Sequence, residues 1–207
     1  MLTAAERAAE LWRGLADEGI RLRDFDAGGG LGIPYDGGPA PDLRAYTRAL
    51  ANIAQGLDAT LVLEPGRYLV GPVGTFVTRV LHVKEAGGKT IVVCDGGMND
   101  LLRPVLYGAE HPVTLVGQDT RQKSAQAQVD LVGPLCESSD YLALSRELPL
   151  PRRGDLIAIC LAGAYGRVMS SAYNARPLCA EVVLEQGAWR ISRERGTYDD
   201  LVRNERA

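Results

Sequence analysis

Apolar residues recur at helical spacing at the start of the chain. Ala8, Leu11, Trp12, Leu15 and Ala16 fall on one helical face, and Gly19 stands where a C-terminal cap belongs. The pattern then shortens, and LRDFDA, residues 22–27, predicts a short strand. GGGLGIPY interrupts it at residues 28–35. After a polar loop, Leu43, Tyr46, Leu50 and Ile53 predict a second helix. TLVLEPGR, residues 60–67, opens as a nearly all-apolar strand, the kind buried on both faces of a parallel sheet. Helix, strand, helix, strand is the rhythm of a βα barrel.

After Gly71 the period changes. Residues 75–84 and 90–94 flank Gly87-Gly88 and predict a β-hairpin. Further strands are predicted at 112–117, 127–132, 155–161 and 179–184, and a polar helical tail from Asp199. The expected fold is therefore α/β plus mainly-β, divided into residues 1–71 and 72–207. About seventy residues supply two βα units, whereas a closed eightfold barrel takes about 250. Residues 1–71 thus read as the last units of a (βα)8 barrel, followed by a C-terminal β-domain.

Composition narrows the function classes. With 46% hydrophobic residues the 207-residue chain has material for a real core. The formal charge of −3 is spread over mixed signs, with no basic stripe, so nucleic acid is not an expected partner. Residues 1–20 mix acids and bases without an apolar leader core, and no later stretch is long enough to span a bilayer, so no membrane association and a cytoplasmic location are expected. Cys94, Cys136, Cys160 and Cys179 show neither C-x-x-C spacing nor clustering with histidine, so no metal is expected. Cys94, Cys160 and Cys179 are expected as reduced, mostly buried thiols. His82 and His111 lack a ligand partner at metal spacing and receive no role.

Four stretches carry candidate chemistry. Gly28, Gly29 and Gly30 follow a predicted strand, where bare backbone N–H groups would accept a phosphate, or where the chain makes an ordinary tight turn. Glu64, Gly66 and Arg67 end the second parallel strand. There a carboxylate suits a protonated ring nitrogen and a guanidinium an anion, the alternative being a surface ion pair. Arg103 and Tyr107 lie four residues apart, so on a helical turn both would face one way, either as a carboxylate site or as a surface stack. Tyr165 and Tyr173 stand among small residues, with room for a ligand or as core phenols with satisfied hydroxyls.

Taken in order, GGGLGIPY, EPGRYLVG, DGGMNDLLRPVLYGAEHP, GPLCESSDYLA and GAYGRVMSSAYNARP resemble the C-terminal portion of the bacterial diaminopimelate decarboxylase family, over nearly the whole chain. These enzymes are pyridoxal-phosphate-dependent, with a βα barrel followed by a β-domain. The resemblance implies decarboxylation of meso-diaminopimelate to L-lysine and carbon dioxide. It implies that Gly28–Gly30, Glu64, Gly66, Arg67 and Tyr165 hold the cofactor. Arg67, Arg103, Tyr107 and Tyr165 would bind the substrate, with Arg67, Arg103 and Tyr107 on its distal carboxylate. Glu137 would take its distal ammonium, and Cys136 would be the catalytic proton donor. In the family the Cys-Glu pair reaches the partner subunit's site, so a homodimer with shared active sites is expected, or an N-terminal barrel half on another chain. One departure stands out. The family's Schiff-base lysine precedes the glycine-rich loop, whereas Lys84, Lys89 and Lys123 match no family lysine. A truncated or split form is therefore expected. The alternatives are a related decarboxylase of another amino acid and a non-catalytic dimerising module.

Overall fold

The structure, a computed structural model, describes residues 2–35, 37–117 and 126–206. The chain divides into two compact units, Met1–Val73 and Gly74–Ala207.

The first unit holds α1 (Leu2–Asp17), β1 (Asp24–Asp26), α2 (Leu43–Gly56), β2 (Thr60–Val62) and the short α3 (Gly66–Val70). α1 ends as its sequence predicts: Gly19 sits at φ +87°, its N–H donates to the Ala16 carbonyl, and the Ile20 N–H reaches back to Leu15. Its inward face, however, is not the leucine face. Ala5 and Ala9 are buried with Trp12 against Phe25, while Leu11 is exposed. Small side chains let α1 approach closely, and the Trp12 ring meets Phe25 edge-on at 6.0 Å. α2 starts at Asp42, whose carboxylate accepts the Ala45 N–H at 2.9 Å, and buries Leu50 and Ala54. β1 and β2 pair in parallel, Asp24 opposite Thr60 and Asp26 opposite Val62. The expectation that β2 is buried on both faces is corrected here. Only Leu61 is half-buried while Thr60 and Val62 are exposed, because β1 is its sole strand neighbour among the described residues.

The second unit is mainly β. β3 (Phe76–Ala86), β4 (Lys89–Cys94), β5 (Val113–Leu115), β6 (Gln126–Val132), β7 (Tyr141–Pro149) and β8 (Leu156–Ile159) form one sheet in the order β5-β8-β3-β4-β6-β7. Every neighbouring pair is antiparallel except β4 and β6. The outermost strands β5 and β7 lie in contact, so the sheet curls towards a barrel. Val80, Val92, Leu131, Ile157 and Ile159 fill its core. The predicted hairpin forms as β3–β4, with Ala86 opposite Lys89 and both turn glycines at positive φ.

β7 was not predicted from the sequence, and its alternation shows why. Between Val129↔Arg146 and Leu131↔Ala143 it carries an extra residue, a bulge with Ser145 at φ +53°. Asp130 faces the bulge, accepting the Ser145 N–H at 2.7 Å and pairing with Lys89 at 3.0 Å. The remaining strands, β9 (Glu181–Glu185) and β10 (Ala188–Arg193), form a separate ribbon closed by Gln186-Gly187, and β10 was also missed. α4 (Arg103–Tyr107) lies between β4 and β5, and α5 (Tyr198–Val202) is closed by a reciprocal Thr197–Asp200 cap.

Candidate functional site

In the first unit the two predicted loops lie side by side. Ala27 N–H donates to Val62 O at 3.0 Å and Glu64 N–H to Gly28 O at 2.9 Å, so the parallel pairing continues past both strands. A Cβ on Gly29 would sit 2.6 Å from the Glu64 carbonyl oxygen, so this approach requires glycine. Gly28 and Gly30 take positive φ, and Asp26 receives the Gly28 N–H at 2.8 Å. Gly66 starts α3, which places half-buried Arg67 in its first turn and leaves Glu64 exposed just before it. A cavity of about 170 Å³ opens beside these loops, lined by Gly28, Gly29, Leu31, Tyr46, Leu63 and Tyr68 among others.

The second unit holds the remaining candidates in two clusters. In one, Arg103 is 6% exposed at the start of α4 and donates to His111 Nε2 at 3.1 Å. The Tyr165 ring lies over its guanidinium at 5.8 Å, a cation–π arrangement. Tyr165 is 49% exposed and itself sits at φ +63°. The same-face expectation for Arg103 and Tyr107 is corrected: Tyr107 is 65% exposed at the far end of this single turn, while Arg103 turns inward to His111.

In the other cluster, the Asn174 side-chain amide donates to Cys136 Sγ at 3.5 Å and the Tyr173 hydroxyl to Glu137 Oε2 at 3.4 Å. Ser139 gives Glu137 Oε1 its backbone N–H at 3.3 Å and its hydroxyl at 3.1 Å. These donors, the Ser139 backbone first, hold the Glu137 carboxyl below the usual carboxylate range, so it is an anion at neutral pH. Tyr173 is 47% exposed, so neither tyrosine is a core phenol. Cys136 is exposed, whereas Cys94 is buried and its thiol is pushed up to about 12, chiefly by burial and then by Asp95. Cys160 and Cys179 are half-buried.

Asp140 was passed over in the sequence reading, yet it fixes this loop. Its two carboxylate oxygens accept the N–H groups of Met98 and Leu135, each at 2.7 Å, joining the segment after β4 to the one that carries Cys136. A Cβ on Gly97 or Gly133 would collide with that carboxylate, which explains glycine at both places. The signal was the spacing in CESSD, a carboxylate four residues after the thiol. His111 and Asn174 gave no comparable signal, since their roles depend on partners 8 and 38 residues away.

A family profile described as the pyridoxal-dependent decarboxylase C-terminal sheet domain matches residues 35–163, more than half of the chain. The chain belongs to this family. Among its relatives, the diaminopimelate decarboxylase of Aquifex aeolicus is 41% identical over 202 residues, covering 96% of this chain and 47% of that protein. That of Neisseria meningitidis serogroup B is 42% identical over 207 residues, covering 100% and 49%. The crystal structure of diaminopimelate decarboxylase from Helicobacter pylori complexed with L-lysine superposes with a TM-score of 0.90 at 41% identity, over 99% of this chain and 50% of that one. A lysine/ornithine decarboxylase from Vibrio vulnificus, at 23% identity and a TM-score of 0.72, shares the fold. The chain spans about half the length of the curated relatives it matches. The expected fold and family resemblance are thereby borne out.

Proposed function

We propose that the chain forms the C-terminal half of a diaminopimelate decarboxylase, which converts meso-diaminopimelate to L-lysine and carbon dioxide. The observation that carries this reading is the pairing of Cys136 and Glu137, within the family-matched residues 35–163, with Asn174 and Tyr173 in the unit that also holds Arg103 against Tyr165. Residues 1–71 would be the end of the cofactor-binding barrel and 72–207 the β-domain that supplies substrate and dimer-interface residues.

Pyridoxal phosphate, when bound, supplies an acceptor for the electron pair left as the carbon–carboxylate bond breaks. The first unit fits part of it. Gly28, Gly29 and Gly30 run beside the Glu64–Arg67 turn, the Glu64 carbonyl leaving no room for a Cβ on Gly29; this loop with Gly66 and Arg67 would hold the phosphate, and Glu64 would pair with the ring nitrogen. In the second unit Tyr165, against Arg103, would line the substrate site. The anchoring amine has no source in the first unit, whose residues include no lysine. Lys89 is engaged by Asp130, Lys84 is exposed on β3, and Lys123 lies outside the described residues. The missing amine would come from an N-terminal barrel half, in the same or another polypeptide.

Toward the substrate, Arg103 would bind the distal carboxylate by charge-assisted hydrogen bonds, and ionised Glu137 would take the distal ammonium. Cys136 delivers a proton to the carbon that lost carbon dioxide, and its sulfur keeps a hydrogen-bond donor in Asn174. A homodimer with shared sites fits the β9–β10 ribbon, where Leu184 opposes Trp189 and Val182 opposes Ile191 on one exposed apolar face. Absence of a membrane-spanning helix among the described residues accords with a cytoplasmic enzyme.

The test mixes the chain, pyridoxal phosphate and a polypeptide matching the N-terminal half of the relatives. Lysine and carbon dioxide should appear, and Cys136→Ala should lower kcat by roughly 10²- to 10⁴-fold with little change in KM. Glu137→Gln, which keeps shape and removes charge, should lower kcat/KM about 10- to 100-fold. Unchanged kcat in Cys136→Ala would remove the thiol from the chemistry.

A further inference from the structure

We propose that His111 is a positioning residue, whose neutral imidazole in the Nδ1–H tautomer orients the Arg103 guanidinium for a carboxylate ligand. The tautomer follows from what each partner is able to do. A guanidinium only donates, so His111 Nε2, 3.1 Å from Arg103, must be the bare acceptor nitrogen. The hydrogen is then on Nδ1, which donates to the Cys160 carbonyl at 3.0 Å. Cys160 closes a second tie to the same segment, its N–H donating to Pro112 O at 2.8 Å. The end of β8 thus pins the ring from one side while Tyr165 stacks on the guanidinium from another. His111 is 2% exposed, and burial, aided by the Arg103 charge, holds its pKa below the ordinary imidazole value despite the Cys160 bond. An imidazolium there would lose the acceptor and set two cations together in a buried place. That the ligand is a substrate carboxylate rests on the function proposed above, whereas the tautomer and the contact do not.

The chain has two imidazoles, and exposed His82 serves as the internal reference. Long-range proton–nitrogen correlation of the nitrogen-15-labelled chain at pH 7 should give His111 a neutral Nδ1–H pattern. Arg103→Met should then shift the His111 Nε2 resonance and leave His82 in place. An Nε2–H or imidazolium pattern for His111 overturns the proposal, and this wild-type measurement needs no variant to fold. The positioning is read from rotation of the Arg103 guanidinium. Its Nη resonances should be resolved in wild type, averaged in His111→Phe and resolved again in His111→Gln, whose amide accepts from Arg103 and donates to Cys160. Resolved resonances in a folded His111→Phe overturn it as well. An intact tautomer signature beside an inactive reconstituted enzyme upholds this inference and counts against the substrate reading instead.

Discussion

The two units are built to different standards of completeness. In Gly74–Ala207 the strands of the main sheet run to 11 residues, its outer strands meet, and the core residues Val92, Leu131, Ile157 and Ile159 are fully enclosed. In Met1–Val73 both strands are three residues long, they have only each other as partners among the described residues, and the main buried cluster is the small set Ala5, Ala9, Phe25, Leu50 and Leu57. Val62, Leu69, Val70 and Val73 stay exposed there. A six-stranded sheet that curls on itself pairs most of its backbone and encloses a core of its own. A two-stranded parallel pair leaves the outer edges of both strands without a strand partner among the described residues, and its small core rests on α1 and α2.

The sharpest way to break this comparison is to damage each core in turn. Leu131→Ala should cost about 2–5 kcal/mol in the second unit, because the enclosed sheet cannot relax into the cavity, while Leu57→Ala should fall at or below the lower end. In a Trp189→Phe background, which leaves Trp12 of the first unit as the sole tryptophan, the fluorescence transition in urea should precede the loss of β-sheet circular dichroism. Coincident transitions would show one cooperative block and defeat the contrast.

A smaller effect separates the site loop from the sheet that bears it. Asp140→Ala removes a carboxylate that receives two backbone N–H groups and should cost roughly 2–3 kcal/mol. Asp140→Asn should lose about half of that. Labelling of exposed Cys136 by a thiol reagent should quicken in Asp140→Ala as the loop loosens. An unchanged melt and labelling rate would mean that the carboxylate does not hold the loop.

The smallest effect is titration. Both histidines belong to the second unit, and buried His111 resists protonation while the unfolded chain does not. As pH falls below about 6.5, the unfolded state takes up the proton first. Stability is then lost at up to about 1.4 kcal/mol per pH unit until the lowered folded value is reached, and levels off below it. His111→Gln should abolish this limb. Asp100, raised by burial, works in the opposite sense at lower pH, stabilising the fold on acidification. A limb of equal slope in His111→Gln would assign it to other groups.

Much of this was legible in the chain because it depends on local chemistry. The Gly19 cap, the helix marked by Leu43, Tyr46, Leu50 and Ile53, the Gly87-Gly88 hairpin and the strand at 127–132 follow from backbone preferences and short-range periodicity, which neighbours on the chain already decide. The five motifs in order sufficed to place the chain in its family. Tertiary structure decided the rest. Alanines, not leucines, face inward on α1, because Phe25 and α2 leave room only for small residues beside Trp12. β7 escaped detection because a bulge satisfied by Asp130, fifteen residues away, breaks its alternation. Arg103 and Tyr107 part company because a buried guanidinium must find an acceptor, and His111, held by the Cys160 carbonyl, supplies one. Residue type is local information. A partner 15, 38 or 49 residues distant is brought near only once the chain has folded, and that is why the thiol, the carboxylates and the guanidinium were visible in the sequence while the groups that hold them in place were not.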